Sequence, residues 1–405
     1  MTSRRGRGGT WFQKQFGFKE CKSYAKTRSQ FSLEDGGATL VSLANKKKFD
    51  IGVFELLSVS ELRKRREQLK TKEQSAESGG GLTFRNVKGD VSKLIRDPKN
   101  AGAVFQAASQ FNCLEMANPR VTPDNGVTIY KWDRTQGPAC ALACPAATVF
   151  RNYLVNGKGQ GGDGEQIDGL ADVAKVLGED TEYWRLMNGY AFPTSAEKFK
   201  ELNDRLESDK ELRAKALEAL KIGIHWSTEV ERQPAETDPA HKVCQLYCSA
   251  VPIAYSRLNA SQWAEFAQLV LDAAYESSFL AASIIAAEQK RRVPLYLTLL
   301  GGGVFGNPTS WIVNAIKAAI KQYSTDPIDV RIVHYSHMPE LCATIKAPEL
   351  SQTKKVENEE KSESSEKTTT PNQPLEQQKM KNDAGESSDD QNLLESKMEK
   401  LEISK

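Results

Sequence analysis

The sequence predicts an α/β protein with a mostly parallel sheet that is covered by helices. Apolar runs of strand length alternate with longer amphipathic runs between residues 49 and 335. Such alternation is typical of strands that are joined by helical crossovers. The chain of 405 residues is long enough for one large domain with insertions.

The first element of this alternation is the run FDIGVFELL at 49–57, which predicts a strand, and the charged run at 59–72 predicts the helix after it. Further strands are predicted at 103–113, 222–226, 243–253, 293–300 and 330–335, and further helices at 138–154, 195–221, 261–289 and 308–323. Parallel sheets of this kind bind ligands where their strands end, so loops at the carboxyl ends are the first place to look for a site.

The two ends of the chain differ from its middle. Residues 1–35 carry eight Lys or Arg against three acids, which predicts a basic flexible arm. Aromatic residues at positions 11, 12, 16 and 18 lie between these charges, so contact with RNA is an alternative to a plain extension. Residues 349–405 are polar, and 351–405 contain no aromatic residue, which predicts a disordered polar tail. The folded domain is therefore expected at 36–348.

Composition also bears on the compartment. No apolar run is long enough for a membrane span or a signal peptide, and seven cysteines are an odd number that suits buried thiols in a reducing compartment. A cytoplasmic protein is expected, with a nuclear address in RKRR at 63–66 as the alternative. The net charge of +2 excludes a globally basic nucleic-acid coat.

A glycine-rich loop is the most informative motif. The apolar run at 293–300 leads into a loop before Pro308 opens a helix, and the loop consists of Gly301, Gly302, Gly303, Val304, Phe305, Gly306 and Asn307. Glycines leave amide N–H groups uncovered, and a following helix adds partial positive charge, so a phosphate or diphosphate is the expected guest. A tight turn without a ligand is the alternative.

The loop also fits the spacing G-x-G-x-x-G of dinucleotide-binding folds. Those folds need an acidic residue at the end of the next strand, whereas this strand ends in Tyr335, Ser336 and His337. No Gly-Lys-Ser/Thr follows the loop, which argues against a Walker phosphate loop. Both nucleotide-binding classes therefore lose support.

A second informative segment spans residues 108–154. It places Glu115, Asp124 and Asp133 at intervals of nine residues on largely irregular backbone. Thr135, Gln136 and Gly137 then precede Pro138 at the start of a helix, whose first amides are expected to meet a second phosphate or a ribose. The alternative is that Asp124 caps a turn and that Asp133 and Arg134 are ordinary surface charges.

These segments resemble a known family. GDV at 89–91 and GGGVFGNP at 301–308 resemble two ends of a macrodomain, the ADP-ribose-binding α/β/α fold. The blocks FNCLEM, TPDNGVTIYKWDRTQGPACA, ATVFRNYL and NGYA are similar to divergent macrodomain hydrolases typified by the Legionella effector MavL and its eukaryotic relatives. The resemblance covers roughly residues 85–340 and implies a macrodomain-like three-layer α/β/α sandwich with a mixed sheet and helical insertions.

The resemblance also implies an activity, which is removal of mono-ADP-ribose from arginine side chains of proteins without a metal or other cofactor. It makes Glu115, Asp124 and Asp133 the catalytic acids, with Asp133 expected at the sugar or water and the other two at the guanidinium. It makes residues 301–307 the diphosphate loop. Gln110 and Asn112 stand where the family has an asparagine-rich loop, and Asp90 stands at the position of the adenine contact.

Alternatives from other classes stay open at this point. A reader that binds ADP-ribose without turnover is the main one, and a nicotinamide-dependent oxidoreductase is disfavoured by the missing ribose acid. Two cysteine pairs at i, i+4 spacing raise the alternative of zinc, but buried thiols are favoured. The expected partners are ADP-ribose and mono-ADP-ribosylated proteins, and the chain is expected to be a monomer outside membranes.

Overall fold

The computed structural model describes residues 10–72, 80–178, 182–231 and 240–347, which all belong to one unit, Met1–Ser351. The predicted tail at 349–405 and the first nine residues of the predicted arm lie outside the described residues. The strands are β1 (Phe31–Glu34), β2 (Thr39–Ser42), β3 (Lys48–Asp50), β4 (Val53–Ser58), β5 (Thr83–Lys88), β6 (Val104–Ala108), β7 (Trp184–Met187), β8 (Tyr190–Pro193), β9 (Lys221–Glu229), β10 (Lys242–Cys248), β11 (Val293–Leu297) and β12 (Ile328–His334).

Helices occupy most of the segments between these strands. They are α1 (Trp11–Phe16), α2 (Tyr24–Arg28), α3 (Val59–Lys72), α4 (Val91–Arg96), α5 (Gln136–Ala143), α6 (Pro145–Tyr153), α7 (Ala171–Leu177), α8 (Ala196–Ser208), α9 (Lys210–Ala219), α10 (Ala264–Gln289), α11 (Thr309–Gln322) and α12 (Glu340–Ala343).

Seven strands form the central sheet in the order β4-β9-β10-β6-β11-β12-β5. The four neighbouring pairs from β10 to β5 are parallel, and the two pairs that involve β9 are antiparallel. The predicted α/β class with a mostly parallel mixed sheet is therefore confirmed. The sequence analysis missed β5, because its residues TFRNVK alternate in burial but include only two large apolar side chains.

Helices cover both faces of this sheet. In β6, Val104 belongs to a cluster with α10 and α11, whereas Phe105 belongs to a second cluster with α4, α5 and α6 on the opposite face. Successive strand residues point to opposite faces, so each parallel strand is buried on both sides. The predicted three-layer arrangement is confirmed.

Helix α10 is the largest element of the first layer. The segment Ala260–Gln289 is long and apolar enough to cross a membrane by length and composition, but 94% of its most apolar window is buried inside the protein. A long helix that is apolar all round is expected in the core of a large domain. The burial explains its composition without a bilayer.

The insertion between α6 and β9 differs from the predicted single helix at 195–221. It contains α7, the hairpin β7–β8, and two helices that break at Asp209. Asp209 adopts an extended backbone, and its carboxylate accepts a hydrogen bond from the amide of Leu212 at 2.8 Å, which caps α9. A strong capping residue thus ended one helix and began the next.

The predicted flexible arm is wrong for residues 10–35. Phe12 and Phe16 are fully buried in a cluster that includes Leu114 and Tyr130, and β1 pairs with β2 in a separate three-stranded sheet. The lysines of this segment, at 14, 19, 22 and 26, are exposed, while its aromatic residues form a core. The RNA alternative loses two of its four stacking residues, Phe12 and Phe16, because a fully buried ring cannot receive a base.

The arginines of RKRR are held by acids instead of facing solvent freely. Arg63 pairs with Glu276, and Arg66 donates two hydrogen bonds to Asp326. Four of the cysteines that raised the zinc alternative, at 140, 144, 244 and 248, are buried thiols. Within the described ranges, no cluster of three or more His, Cys, Asp or Glu side chains is arranged to hold a metal ion.

Candidate functional site

A cleft of about 350 Å³ lies where the parallel strands end. Its walls include Ala108 at the end of β6, Ala250 after β10, Thr298 after β11 and Tyr335 after β12. The carboxyl ends of parallel strands meet at one edge of a sheet, which brings segments far apart in the sequence to the same place. The cleft lies at the edge that the strand pattern indicates.

The glycine-rich loop forms one wall of the cleft. Gly301, Gly303, Val304 and Phe305 line it, whereas Gly302, Gly306 and Asn307 lie behind the loop or outside the lining. The amides of Gly303, Val304 and Phe305 donate no hydrogen bond to the part of the chain that the structure describes. Unpaired amides in a row form a site for an anion such as a phosphate group.

Asn307 shapes this loop from inside. It is buried, its amide donates to the carbonyl of Gly301 at 2.8 Å, and its Nδ2 donates to the carbonyl of Val251 at 2.7 Å. Gly301 has φ +70°, and a Cβ at this position would lie 2.5 Å from Nδ2 of Asn307. Only glycine allows this close approach, so the loop conformation is fixed by both residues.

Asp133 and the start of α5 form part of the opposite wall. The Oδ1 atom of Asp133 accepts hydrogen bonds from the amide and the hydroxyl of Thr135, at 2.9 and 2.7 Å. Its Oδ2 atom accepts none from the described residues. Asp133 therefore presents one fixed and one unpaired carboxylate oxygen at the cleft.

Helix α5 begins beside Asp133 and is joined tightly to β6. The side chain of Gln136 accepts from the amide of Ala108 and donates to the carbonyl of Gln106, both at 2.8 Å. A Cβ on Gly137 would lie 1.9 Å from the carbonyl oxygen of Ala108. No side chain caps the helix, so its first amides are open to a ligand in the cleft.

Glu115 reaches the cleft wall but is already occupied. Its side chain is fully buried, and both of its oxygens accept from Nη2 of Arg151 at 3.0 Å. Ser109 donates a further hydrogen bond to Oε1 at 3.0 Å. The sequence predicted that Glu115 receives the guanidinium of a substrate. That expectation is corrected, because the guanidinium of Arg151 already fills this position.

Asp124 does not reach the cleft. It is exposed on a 3-10 turn, between Pro123, which is buried, and Asn125, which is exposed. Its Oδ1 accepts a hydrogen bond from the amide of Gly162 at 3.0 Å. The expectation that Asp124 joins the other two acids is corrected by this placement. The turn-forming alternative describes its position.

Gln110 and Asn112 are buried and satisfied by their neighbours. Gln110 lines the cleft but accepts from the amide of Met116 at 2.9 Å and donates to the carbonyl of the same residue. Asn112 is fully buried outside the lining, and it bonds to the side chain of Gln166. The expectation that Asn112 contacts a ligand is corrected, because its amide is used to shape the backbone. Asp90 caps α4 outside the lining.

Three aromatic side chains contact one another inside the cleft. The ring centroids of Tyr190, Tyr255 and Phe305 lie 5.4–5.8 Å apart. Burial raises the pKa of both tyrosines, and the nearby charge of Asp133 raises the pKa of each further. They stay neutral at physiological pH and offer flat faces to a ring. Tyr190 is the contribution of the insertion to the cleft.

Several residues of the site were not found from the sequence. Arg134 is an ordinary surface charge in the alternative interpretation of the sequence, but it lines the cleft and pairs with no acid of the described chain. Tyr255 and Tyr335 also line the cleft. The position of Tyr335 at the end of a predicted strand was the signal for it, whereas nothing near Tyr255 marks a site.

The chain is similar in fold to several solved structures. No protein-family model and no curated protein matches it. The crystal structure of poly(ADP-ribose) glycohydrolase from Thermomonospora curvata is 14% identical, covers 78% of this chain and 94% of its own, and has a TM-score of 0.41. The structure of poly(ADP-ribose) glycohydrolase from the same organism bound to the inhibitor ADP-HPD is also 14% identical. It covers 78% of this chain and 94% of its own, and has a TM-score of 0.37.

A second organism provides a further similar structure. Poly(ADP-ribose) glycohydrolase from Deinococcus radiodurans in complex with ADP-ribose is 12% identical, covers 72% of this chain and 91% of its own, and has a TM-score of 0.35. Similarity at this level does not define the activity of this chain.

Proposed function

We propose that the cleft binds ADP-ribose and hydrolyses its glycosidic bond to a leaving group. The observation that carries the proposal is that a carboxylate with one unpaired oxygen shares a cleft with a row of unpaired amides. The amides of Gly303, Val304 and Phe305 suit the diphosphate. The oxygen of Asp133 suits the sugar end, where positive charge develops during hydrolysis.

The finer proposal is that the leaving group is the arginine side chain of a mono-ADP-ribosylated protein. It is supported by the resemblance of residues 108–154 to macrodomain hydrolases that act on arginine. Asp133 would orient water toward the anomeric carbon of the distal ribose. The bond from that carbon to nitrogen breaks, and the electron pair leaves with the guanidine.

The proton balance of this step suits a single free carboxylate. Attack by water forms the new C–O bond and releases one proton, which Asp133 accepts. The departing guanidine leaves neutral and takes up that proton, because the pKa of a guanidinium lies far above physiological pH. Hydroxide equivalent and proton are both supplied by one water molecule, and no metal takes part in the balance.

The geometry changes the roles expected for the other two acids. Glu115 adds fixed negative charge behind the wall and pairs with Arg151 instead of the substrate. Asp124 takes no part in the step. Selection of arginine over a carboxylate ester therefore depends on Asp133.

A non-catalytic reader is the second candidate, and a specific observation favours it. Among the acids that were expected to react, only Asp133 has an unpaired oxygen in the cleft, and the unpaired cation of Arg134 adjoins it. A cleft with balanced charge binds a dianionic diphosphate better than one with three free acids. A reader would bind ADP-ribose tightly without releasing it from protein.

One experiment separates these proposals. The protein is incubated with arginine-linked mono-ADP-ribosylated protein, with glutamate-linked protein and with poly(ADP-ribose), and free ADP-ribose is measured. Release from the arginine linkage alone supports the finer proposal. Release only from another linkage overturns the arginine proposal but keeps the proposal of ADP-ribose hydrolysis. Tight ADP-ribose binding in calorimetry without any release supports the reader. Monomeric state and cytoplasmic location stay predictions.

A further inference from the structure

A buried ion pair joins the wall of the cleft to helix α6, because Glu115 lines the cleft and pairs with Arg151. Arg151 of α6 and Glu115 have no side-chain exposure, and Nη2 of the arginine lies 3.0 Å from each carboxylate oxygen. Nε of Arg151 donates to the carbonyl of Cys113 at 2.8 Å. The guanidinium is therefore fixed by one carboxylate and one carbonyl.

An aromatic ring fixes the other side of the guanidinium. The central carbon of Arg151 lies 3.6 Å from the ring centroid of Tyr247 on β10. Nη1 of Arg151 is buried without a hydrogen-bond partner among the described residues. A buried cation keeps such an arrangement only when its carboxylate partner is charged.

The surroundings of Glu115 contain one full positive charge. Apart from Arg151, the titratable or hydrogen-bonding groups that face it are neutral at physiological pH; they are Ser109, Cys113, Tyr130, Cys140 and Tyr247. Burial raises the pKa of Glu115, and the guanidinium of Arg151 is the largest opposing influence. Without this cation the buried carboxyl group would take up a proton more readily.

We propose that Arg151 is a positioning residue that holds Glu115 as a fixed carboxylate in the wall of the cleft and prevents it from binding a substrate guanidinium. The inference rests on the proposed function for its catalytic consequence. Asp133 is then the acid of this wall that is free to handle the water. The leaving guanidine meets one carboxylate and can depart, because a second free acid would hold it.

The chain contains a matched pair away from the cleft. Arg66 donates two hydrogen bonds to the buried Asp326, at 2.8 and 2.7 Å, and lies 4.9 Å from the ring centroid of Tyr323. This contact has the same chemistry as that of Arg151 with Glu115 and Tyr247. Arg66, Asp326 and Tyr323 do not line the cleft. Arg66→Met therefore controls for the loss of an arginine that pairs with a buried carboxylate.

The test measures ionisation and turnover separately. Arg151→Met, Arg151→Lys and Arg66→Met are compared with the wild type by ¹³C NMR titration of glutamate carboxyl groups and by the pH profile of ADP-ribose release. In Arg151→Met, we expect the Glu115 titration and the acid limb of the profile to move up by about one pH unit or more, a tenfold effect. Arg151→Lys keeps the positive charge, so its titration should lie close to that of the wild type. Arg66→Met should show no shift.

Several outcomes would overturn the inference. An unchanged Glu115 titration in Arg151→Met shows that the arginine does not hold the carboxylate charged, and an equal shift in Arg66→Met shows a general effect of unfolding. If Arg151→Met does not fold, Ser109→Ala decides, because it removes one hydrogen bond to Glu115 and should move the titration in the same direction by less. An absent shift there counts against the inference.

The NMR titration keeps this result distinct from the proposed function. If the wild type releases no ADP-ribose from any substrate, the proposed hydrolysis fails, yet the titration still shows whether Arg151 holds Glu115 ionised. If the wild type does release ADP-ribose and the pH profile of Arg151→Met matches it, the hydrolysis stands and the positioning role falls.

Discussion

The two walls of the cleft treat their polar groups in opposite ways. On the wall formed by residues 109–136, Glu115 pairs with Arg151, Gln110 bonds to Met116, and Oδ1 of Asp133 bonds to Thr135. On the glycine-loop wall, three consecutive amides have no partner in the described chain. Most of the first wall serves to hold its own shape, while the second is left free for a ligand.

This difference separates residues that build a site from residues that meet a ligand. A buried polar group that is fully hydrogen-bonded has little left to offer a guest, and removing its partner is costly. A residue with an unpaired oxygen or amide at the surface of a cleft can exchange water for ligand without that loss. On this criterion the first wall contributes Asp133 and Arg134, and the loop contributes its backbone.

The largest effect is expected at Asp133. Asp133→Asn keeps an oxygen for Thr135 but removes the charge and the proton acceptor, so we expect ADP-ribose release to fall by roughly 100-fold or more. ADP-ribose affinity, measured by calorimetry, should change little. Asp124→Asn is the matched control and should keep wild-type turnover, because its carboxylate lies outside the cleft. Wild-type turnover in Asp133→Asn would show that this wall holds no proton acceptor at this position.

The next effect is expected at Gly301, where the second wall depends on backbone conformation. Gly301→Ala places a Cβ 2.5 Å from Asn307 Nδ2 and 2.6 Å from Ala250 Cβ, so the loop must move. We expect ADP-ribose affinity in calorimetry to fall about tenfold, or ~1.4 kcal/mol.

A matched control for this loop is Gly157→Ala. Gly157 also has positive φ, at +75°, but a Cβ there would meet nothing within 4 Å, and the residue lies outside the cleft. It should lower stability without lowering affinity. Equal loss of affinity in both variants would mean that the loop geometry is not specific to binding.

A smaller effect is expected at Arg134, the unpaired cation beside the first wall. Arg134→Ala should weaken ADP-ribose binding about threefold to fivefold, since exposed charges contribute up to about 1 kcal/mol. The difference from wild type should shrink as salt is added. Lys131→Ala is the control, because this lysine stacks on Trp132 outside the lining. An equal, salt-sensitive loss in that control would indicate general attraction instead of a contact.

The smallest effect is expected at Glu20, which supports the first wall from behind. Its carboxylate accepts from the amides of Val127 and Thr128, both at 2.8 Å, and from the hydroxyl of Tyr153. Glu20→Gln keeps the shape and weakens these bonds, so we expect a loss of ~1 kcal/mol in denaturant unfolding. Turnover should fall by less than about threefold. A larger loss of turnover than of stability would place Glu20 among the residues that set the cleft geometry directly.

Some of this organisation was readable from the sequence because it follows from periodicity. The alternation of strands and helices predicted the sheet, and the rule that parallel strands end at one edge predicted where the glycine-rich loop would lie. The flanking pattern of Gly301 and Pro308 indicated a loop before a helix. Local patterns were sufficient for these features.

Pairing between distant side chains could not be read in the same way. Glu115 looked like a free acid because its partner, Arg151, is 36 positions away on a helix whose facing was unknown. The basic charge of the N-terminal segment predicted an arm. The four-residue spacing of Phe12 and Phe16, which places both on one face of α1, was the signal for a buried helix. Periodicity indicates which face is apolar but not what lies against it.

The bond between Glu20 and the backbone of the first wall has a consequence for how the chain reaches its final form. The atoms it joins are separated by 107 and 108 positions, so a ribosome must extend the chain by more than a hundred residues before they can meet. Contacts of such long range slow the search for the native state. Glu20 can therefore bond to Val127 and Thr128 only after those residues have been synthesised, and the cleft is completed late in folding.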